Sequence, residues 1–439
     1  MFFIKKKRAV FFKNWSESVH CLPNHYEEPE DLHALKNIIE RAYMEKETIR
    51  VVGSGHSFTP LVATSEVLVS IEKLSGIEKI DRENQLVTVW AGTPLKELGL
   101  QLHKVGYAME NLGDINEQTI AGAISTGTHG TGAEFGNIST QVHSLTIMKA
   151  DGQLLHISPN ENAYLLNAAK VSLGLLGIIV KVTLRVLPAY QLTSHSYKES
   201  FMQCLQQLEL LRRSNRNFEF FWFPYTDTVQ IKIMNEDNYS ITETKKQNMF
   251  KKVVIENGLF FVLSEVSRVV PKTAKMISAA SAAGVPIGTE TAHSHELYAT
   301  PRLVKFNEME YCIDAKYMPD VLKEIDTLIR TYEFAVHFPI ECRYVKKDPI
   351  WLSPSFERDS AYIAIHMYKG MEFKRYFEEV EKIFAKYNGR PHWGKMHMMQ
   401  YGQLKQVYPK LEEFLDLRKE LDPEGMFLNE YVRELFHIR

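Results

Sequence analysis

The chain has 439 residues, 45% of them hydrophobic and 24% charged, and its formal net charge is −2. This near-neutral charge excludes the class of strongly basic nucleic-acid-binding proteins. It also gives no electrostatic attraction to an anionic membrane. The length exceeds one ordinary core and predicts two or three domains. The four cysteines include no CxxC pair, which indicates neither a zinc site nor a disulfide framework.

No segment of the sequence is suited to crossing a membrane. Charged and polar residues interrupt every apolar run near the N-terminus, and the most apolar internal stretch, 258–270, is too short to span a bilayer. The basic cluster Lys5–Arg8 is interpreted as a solvated end. We therefore expect a cytoplasmic protein with neither a transmembrane segment nor a nucleic-acid partner. The oligomeric state is left open.

Residues 30–187 alternate short β-branched runs with glycine-rich turns. The runs "TIRVVG", "VLVSIEKL" and "LVTVWAG" predict strands. The segment "TPLKELGLQLHKVG" predicts a helix with Thr93 as N-cap and Pro94 at the first helical position. A hairpin is expected around Asp151–Gly152, and a strong strand at 177–188.

The pattern changes after Pro188. Aromatic runs at 218–235 and 305–314 each predict a long strand, and a poorly patterned stretch lies between them. Two amphipathic helices, "PDVLKEIDTLIRTYEF" and "FKRYFEEVEKIFAKYN", flank the strand "SAYIAIHMY". This arrangement predicts an α+β domain in which helices cover an antiparallel sheet. A final helix, a turn and a tail follow.

The first chemical motif is "VVGSGHSFTP" (51–60), a strand that runs into a glycine turn. Gly53, Ser54 and Gly55 can offer backbone N–H groups to a pyrophosphate. The interpretation as a nicotinamide-dinucleotide-binding turn is weak, because the third glycine of that fingerprint would fall at Phe58. His56, inside the turn, is open to four roles: ligand, catalyst, packing residue or attachment point.

The second motif is "NLGDINEQTIAGAISTGTHGTG" (111–132), in which glycines alternate with hydroxyl side chains. Glycine lets the backbone approach an anion closely, and hydroxyls supply donors without bulk. Thr119 is expected to cap a short helix within it. The pattern favours a ligand-binding loop over a merely flexible one.

Two further polar motifs occur in the C-terminal part. Glu341 and Arg343 are two residues apart on an expected strand, so both point to one face, although a surface ion pair would give the same pattern. The motif "GRPHWGKMH" (389–397) places histidines and Lys395 around a glycine turn. The histidine spacing matches no standard metal signature, and no metal is expected.

Taken in order, "GSGHSF", "AGAISTGTHGTG", "LGLLGIIVKVTLRV", the Glu-x-Arg pair and "PHWGK" resemble the vanillyl-alcohol-oxidase superfamily of flavoenzymes. Within it they are similar to the sugar-1,4-lactone oxidase and alditol oxidase branch. The resemblance implies an α+β, two-domain FAD-binding fold of the PCMH type with an antiparallel-sheet substrate domain covered by helices. The implied boundaries are 1–188 for the FAD domain, 189–405 for the substrate domain, and 406–439 for a C-terminal helix and tail that returns to the FAD domain.

The resemblance also implies FAD as the cofactor, bonded covalently through the His56 ring to the flavin 8α-methyl. The other implied FAD contacts lie on the two glycine motifs and on the strand near residue 178. They are Gly53, Ser54, Gly55, Ser57, Phe58, Gly113, Asp114, Thr119, Gly122, Thr126, Gly127, Thr128, His129, Ile178 and Ile179.

The implied reaction oxidises a hydroxyl of a sugar-1,4-lactone or related polyol, with hydride transfer to flavin N5 and reoxidation by O2 to H2O2. Arg343 and Lys395 would stabilise negative charge, and Glu341 would accept hydrogen bonds from substrate hydroxyls. Asp114 replaces the serine of the alditol-oxidase pattern, which weakens an alditol preference. Gly113 occupies the position at which oxidases of this group leave space for O2.

Two alternatives stay open from the sequence. One is a lactone or polyol dehydrogenase that passes electrons to a cytochrome or quinone; O2 consumption with peroxide release distinguishes it from an oxidase. The other is a flavin-binding protein with a decayed site, against which the intact polar motifs argue. The sequence does not identify the sugar, because pocket shape decides specificity.

Overall fold

The computed structural model describes residues 10–237, 258, 260–299 and 304–438. The Lys5–Arg8 cluster and part of the poorly patterned stretch lie outside the described residues. The apolar stretch noted above contributes a helix at 260–269. Within these ranges, no helix combines the length and the apolar character that crossing a bilayer requires.

A small parallel sheet lies near the N-terminus, and it confirms the strands expected from "TIRVVG" and "VLVSIEKL". The helix Leu32–Glu45 covers it and begins where Asp31 accepts a hydrogen bond from Ala34 N at 2.7 Å. Its strands, in spatial order, are His25–Glu27, Val67–Ser70 and Ile49–Val52.

A five-stranded antiparallel sheet follows along the chain. The hairpin at Asp151–Gly152 is confirmed, with Gly152 at φ 74°. The strand expected at 177–188 spans Ile178–Arg185, and Leu187–Pro188 pairs separately with Tyr107–Ala108. The strands, in spatial order, are Leu154–Ile157, Val142–Met148, Ile178–Arg185, Leu86–Trp90 and Ile77–Asp81.

The start of the next helix differs from its prediction. The helix spans Leu95–Lys104 with Pro94 as N-cap, so Pro94 precedes the first turn. Thr93 does not cap it, because its hydroxyl donates to the Trp90 carbonyl at 2.6 Å and accepts from Gly76 N at 2.9 Å. The threonine therefore stabilises the strand end that leads into the helix.

An eight-stranded antiparallel sheet forms the largest layer, and two helices, Met318–Tyr332 and Lys374–Lys386, cover it. This confirms the α+β arrangement. The run at 218–235 is a hairpin and not one strand, because the chain turns at Tyr225, where φ is 67°. The strands, in spatial order, are Gly288–His293, Gln191–Ser200, Thr228–Glu236, Asn217–Trp222, Ile340–Val345, Ser360–Tyr368, Phe306–Asp314 and Arg390–Pro391.

Short elements complete the described chain. A two-stranded ribbon joins Phe12–Lys13 to His20–Cys21, and all four cysteines are free thiols. The remaining α-helices are Ile120–Ser125, Leu166–Ala169, Phe201–Ser214, Ala274–Gly284, Ser294–Leu297, Tyr401–Val407, Leu411–Leu421 and Glu430–Leu435. The expected C-terminal tail therefore includes one more helix.

Candidate active site

The glycine turn of the first motif lies directly against the "PHWGK" loop. Phe58 N donates to the Gly394 carbonyl at 2.8 Å, and Thr59 Oγ1 donates to the Trp393 carbonyl at 2.9 Å across 334 residues of sequence. A Cβ at Gly394 would lie 3.3 Å from Ser57 Oγ, a tight contact that glycine avoids. Two distant motifs thus form one wall.

Two cavities meet at this wall, and His56, Ser57, Gln118 and Thr126 line both. Of the expected cofactor residues, the first cavity is lined by Gly53, Ser54, Gly55, His56, Ser57, Thr119, Gly122, Thr126, Ile178 and Ile179. The second cavity is lined by His56, Ser57, Phe58, Gly113, Asp114, Thr126, Thr128 and His129, whereas Gly127 lines neither.

The first cavity suits a dinucleotide. Among the described residues that line it, none is acidic and Arg50 is cationic, so a pyrophosphate meets no like charge. The glycines are needed for space, because a Cβ at Gly53 would lie 2.3 Å from Thr119 Oγ1. As expected, Thr119 caps the short helix by accepting from Gly122 N at 3.3 Å. The residues present therefore fit FAD.

The second cavity is strongly polar by contrast. All three expected catalytic residues, Glu341, Arg343 and Lys395, line it, and so do the titratable residues His56, Asp114 and His129 of the glycine motifs. Four more titratable residues line the same cavity, and they are Glu308, Glu310, His366 and His392. Glu341 and Arg343 are 5% and 9% exposed, so they are not a surface ion pair.

Strand register brings these groups together on the eight-stranded sheet. Arg343 pairs with Glu219 on the neighbouring strand. On the other side of Arg343, His366 lies on the next strand and pairs with Glu308 on the strand after that. Glu341 and Glu310 both pair with Ala364, which lies between them. Because alternate residues of a strand share a face, the charged side chains converge on one side of the sheet.

Arg343 is the centre of the first charged group. Its Nε donates to Glu219 Oε2 at 2.8 Å, its Nη2 contacts Glu341 Oε1, and Asp114 Oδ2 lies 3.7 Å away. Burial alone lowers the pKa of Arg343, but the three carboxylates raise it well above its ordinary value. Burial raises the pKa of Glu219, yet Lys232 and Arg343 outweigh it and bring it to about 2. Arg343 and Glu219 are therefore both ionised at neutral pH.

Lys395 is held in a second charged group. Its Nζ lies 2.5 Å from Glu308 Oε2, and His366 Nε2 lies 3.6 Å from the other oxygen of Glu308. Burial raises the pKa of Glu308, but Lys395 and His366 lower it to about 2. The lysine thus meets an ionised partner that fixes its position.

A third group contains two histidines with different hydrogen-bond partners. The ring of His129 lies between two acceptors, with Nδ1 2.8 Å from the Gly130 carbonyl oxygen and Nε2 3.1 Å from Glu310 Oε1. Burial lowers the pKa of His392 to about 4. Its Nδ1 accepts from Gly394 N at 3.1 Å, as a neutral ring would.

His56 lies where the two cavities join. Its ring stacks near Trp15 with the ring centroids 6.0 Å apart. Burial and the nearby Lys395 lower the pKa of His56, so the imidazole is neutral and keeps a nucleophilic nitrogen at neutral pH. A packing role alone does not account for a residue that faces both cavities.

Sequence reasoning missed Glu219, Glu308, Glu310 and His366. A signal was present for the acids: "FEFFWF" and "FNEMEY" place carboxylates inside aromatic strands that are otherwise buried. Acids in such runs are costly unless they meet a charge partner, which marks them as candidates for a site. His366 carried no comparable signal.

Together the fold and this pair of cavities define a flavin-dependent oxidoreductase with FAD as its cofactor. A model of the FAD binding domain matches residues 23–158, and a model described as D-arabinono-1,4-lactone oxidase matches residues 182–435. The chain belongs to the D-arabinono-1,4-lactone oxidase family.

Full-length relatives support the same assignment. The L-gulono-1,4-lactone dehydrogenase of Mycobacterium tuberculosis is 36% identical over 427 residues, covering 97% of this chain and 99% of the relative. The L-gulonolactone oxidase of Mus musculus is 32% identical over 437 residues, covering 98% and 99%. The relatives thus include both a dehydrogenase and oxidases by name.

Solved structures confirm the expected PCMH-type flavoenzyme fold. A solvent-stable cholesterol oxidase superposes with a TM-score of 0.83 at 18% identity, covering 98% of this chain and 97% of that chain. The cholesterol oxidase of B. sterolicum gives a TM-score of 0.81 at 16% identity, with 98% and 97% covered. At these identities the likeness concerns the fold alone.

Proposed function

We propose that the protein oxidises a hydroxyl group of a sugar-1,4-lactone. The observation that carries this proposal is the junction of a phosphate-compatible cavity with a cavity of fixed charges, across His56. The names of the family and of its full-length relatives support the lactone class. Sterols are disfavoured, because the second cavity carries acids and bases where an apolar substrate needs apolar walls.

We propose that FAD binds along the first cavity, with its phosphates against Gly53–Gly55 and its adenine side towards the backbone of Ile178 and Ile179. Bound FAD supplies the two-electron acceptor that the amino acids themselves lack. The chain's own part is to bind, orient and desolvate both reactants. Glycines supply the close approach, and Ser57 and Thr126 supply hydroxyl groups at the junction with the second cavity.

The charged groups of the second cavity act on the substrate. Arg343 and Lys395 stabilise the negative charge that develops on the hydroxyl oxygen as its proton passes to the Glu341 carboxylate, and each cation is held by a carboxylate before substrate arrives. Before this transfer the Glu341 carboxylate accepts a hydrogen bond from the substrate hydroxyl and orients it. Asp114 lies within 3.7 Å of Arg343, so its charge is partly compensated when a neutral lactone binds beside it.

We also propose that His56 attaches the flavin covalently, supported by its position and its neutral ring. Acid denaturation of the purified protein should carry the yellow colour into the pellet, and His56→Ala should release it while the protein still folds. His103→Ala, at a partly exposed histidine that lines neither cavity, is the matched control. All colour in the wild-type supernatant would refute the linkage.

O2 is the electron acceptor we propose, and Gly113, which lines the second cavity, supports it. The cytoplasm is the proposed compartment, which the free thiols support. We keep residues 1–188, 189–405 and 406–439 as the proposed FAD domain, substrate domain and returning C-terminal segment. Hydrogen bonds from Asn429 Nδ2 to the carbonyls of Pro60 and Ala63, at 2.9 and 2.8 Å, support the return.

A substrate panel tests the function. Sugar-1,4-lactones and open polyols of matched carbon number would be added anaerobically, with bleaching of the oxidised flavin absorbance as the measurement. Lactones should bleach the flavin faster than polyols do. Bleaching by polyols alone, or by neither class while dithionite still reduces the flavin, would overturn the lactone proposal.

A further inference from the structure

A third cavity, of about 510 Å³, shares no lining residue with the two cavities of the active site. It lies between the end of the strand Ile178–Arg185 and the segment that follows the strand Ile340–Val345. Its volume is within the range of small-ligand pockets. Four cations line it: Lys170, Arg185, Lys346 and Lys347.

The charged side chains of this cavity fall into two groups: those with a partner on the protein, and the cations Lys170 and Arg185. Lys346 Nζ pairs with Glu134 Oε2 at 2.9 Å, and Asp348 accepts hydrogen bonds from Asn137, Ser353 and Ile350 N. Glu134 and Asp348 therefore already have partners on the protein. The third acid of the lining, Glu110, acts through its charge and raises the pKa of Lys346.

Lys170 differs from these groups. It is only 8% exposed, and in the described part of the chain its ammonium has neither a hydrogen bond nor an ion pair. Arg185 is exposed, and its one side-chain hydrogen bond goes to the Thr140 carbonyl at 2.5 Å. Burial and the charge of Arg185 lower the pKa of Lys170 to about 8, and the charge of Asp348 opposes them only in part.

Two cations that repel one another inside a cavity are stabilised when an anion lies between them. We propose that this third cavity binds the oxyanion group of a small polar ligand, through Lys170 and Arg185. Phosphate and carboxylate groups share the required chemistry. The remaining volume accommodates the carbon skeleton of a small phosphorylated or carboxylated metabolite.

Calorimetric titration of the FAD-loaded enzyme tests the site, because bound FAD already fills the phosphate-compatible cavity. Inorganic phosphate and malonate would be titrated separately at constant ionic strength. Saturable binding of either is expected, and the preferred anion identifies the group. Lys170→Gln and Arg185→Gln should each weaken it by about tenfold or more. Lys405→Gln, at an exposed lysine outside the cavity, should leave it unchanged.

Absence of saturable binding for both anions overturns the proposal, and so does equal weakening in the Lys405 control. Lys170→Gln removes a buried charge whose repulsion by Arg185 is opposed by the attraction of Asp348, so its Tm in anion-free buffer should stay close to that of the wild type. Should that variant fail to fold, the exposed Arg185→Gln decides the question alone.

Discussion

Replacing Arg343 by alanine is expected to lower turnover by about 100-fold or more while FAD stays bound. Arg343 lines the second cavity and is absent from the lining of the first. Its charge is therefore needed where the substrate oxygen becomes anionic, and not where the phosphates of FAD lie. Loss in kcat should exceed any change in the flavin-to-protein ratio.

The structure also sets the cost in stability. Arg343 contacts Glu219 at 2.8 Å, Glu341, and Asp114 at 3.7 Å, and Glu219 also contacts Lys232 at 3.2 Å. Removing one member of a buried charge group typically costs about 3–5 kcal/mol of unfolding free energy. A 100-fold rate loss corresponds to about 2.7 kcal/mol, so the two effects are of similar size and need separate measurement.

Arg390→Ala provides the matched control. Arg390 is 8% exposed and donates to the carbonyls of Pro354 and Phe356 at 2.9 and 2.8 Å, outside both cavities. It should lower Tm but preserve kcat per bound flavin. Arg343→Lys should recover stability more than rate, because lysine lacks the planar fork that serves several carboxylates. A kcat of Arg343→Ala within about threefold of wild type would remove this residue from the mechanism.

Three further predictions concern the same cavity. Gly113→Ala adds a methyl 3.0 Å from the His129 carbonyl oxygen, and in stopped-flow it should slow reoxidation by O2 while sparing reduction by substrate; equal slowing of both half-reactions contradicts this. Glu308→Gln removes the anion 2.5 Å from Lys395 and should lower kcat/KM about tenfold, whereas unchanged kinetics would show that the lysine needs no positioning. Glu219 and Glu308 have pKa values of about 2 in the folded protein, against an ordinary 4.5. Each ionised carboxylate therefore contributes roughly 3 kcal/mol to the free energy of unfolding above pH 4.5, and this contribution is lost as the pH falls towards 2. A Tm that stays constant from pH 5 to 3 would refute this pH dependence.

The sequence predicted most elements because their signals are local. The helices Met318–Tyr332 and Lys374–Lys386 follow from side-chain period alone, and the hairpin at Asp151–Gly152 follows from its turn residues. The N-cap prediction for Thr93 was wrong because a threonine hydroxyl can either cap a helix or bond to backbone groups of a nearby strand. Only the folded strand end shows that the hydroxyl donates to the Trp90 carbonyl and accepts from Gly76 N.

Half of the candidate site was accessible in the same way. Short local motifs are recognisable in the sequence itself or through a family resemblance. They include the glycine turn with His56, the Glu341–Arg343 pair and Lys395. Glu219 was not, because its partnership with Arg343 depends on a strand register that joins residues 124 positions apart. Register follows from packing across the whole sheet and not from any short stretch.

The contacts between the N-terminal strands and the end of the chain bear on how the protein is made. Ile49 N donates to the Met426 carbonyl at 2.7 Å, and Arg50 reaches the Phe427 carbonyl at 2.5 Å across 377 residues. A ribosome that has released only the glycine turn has therefore not yet supplied the C-terminal carbonyl that holds Arg50, a residue that lines the cofactor cavity. Contacts of such long range form slowly. We expect flavin loading to follow translation, and nascent chains that lack residues 426–429 to remain without flavin.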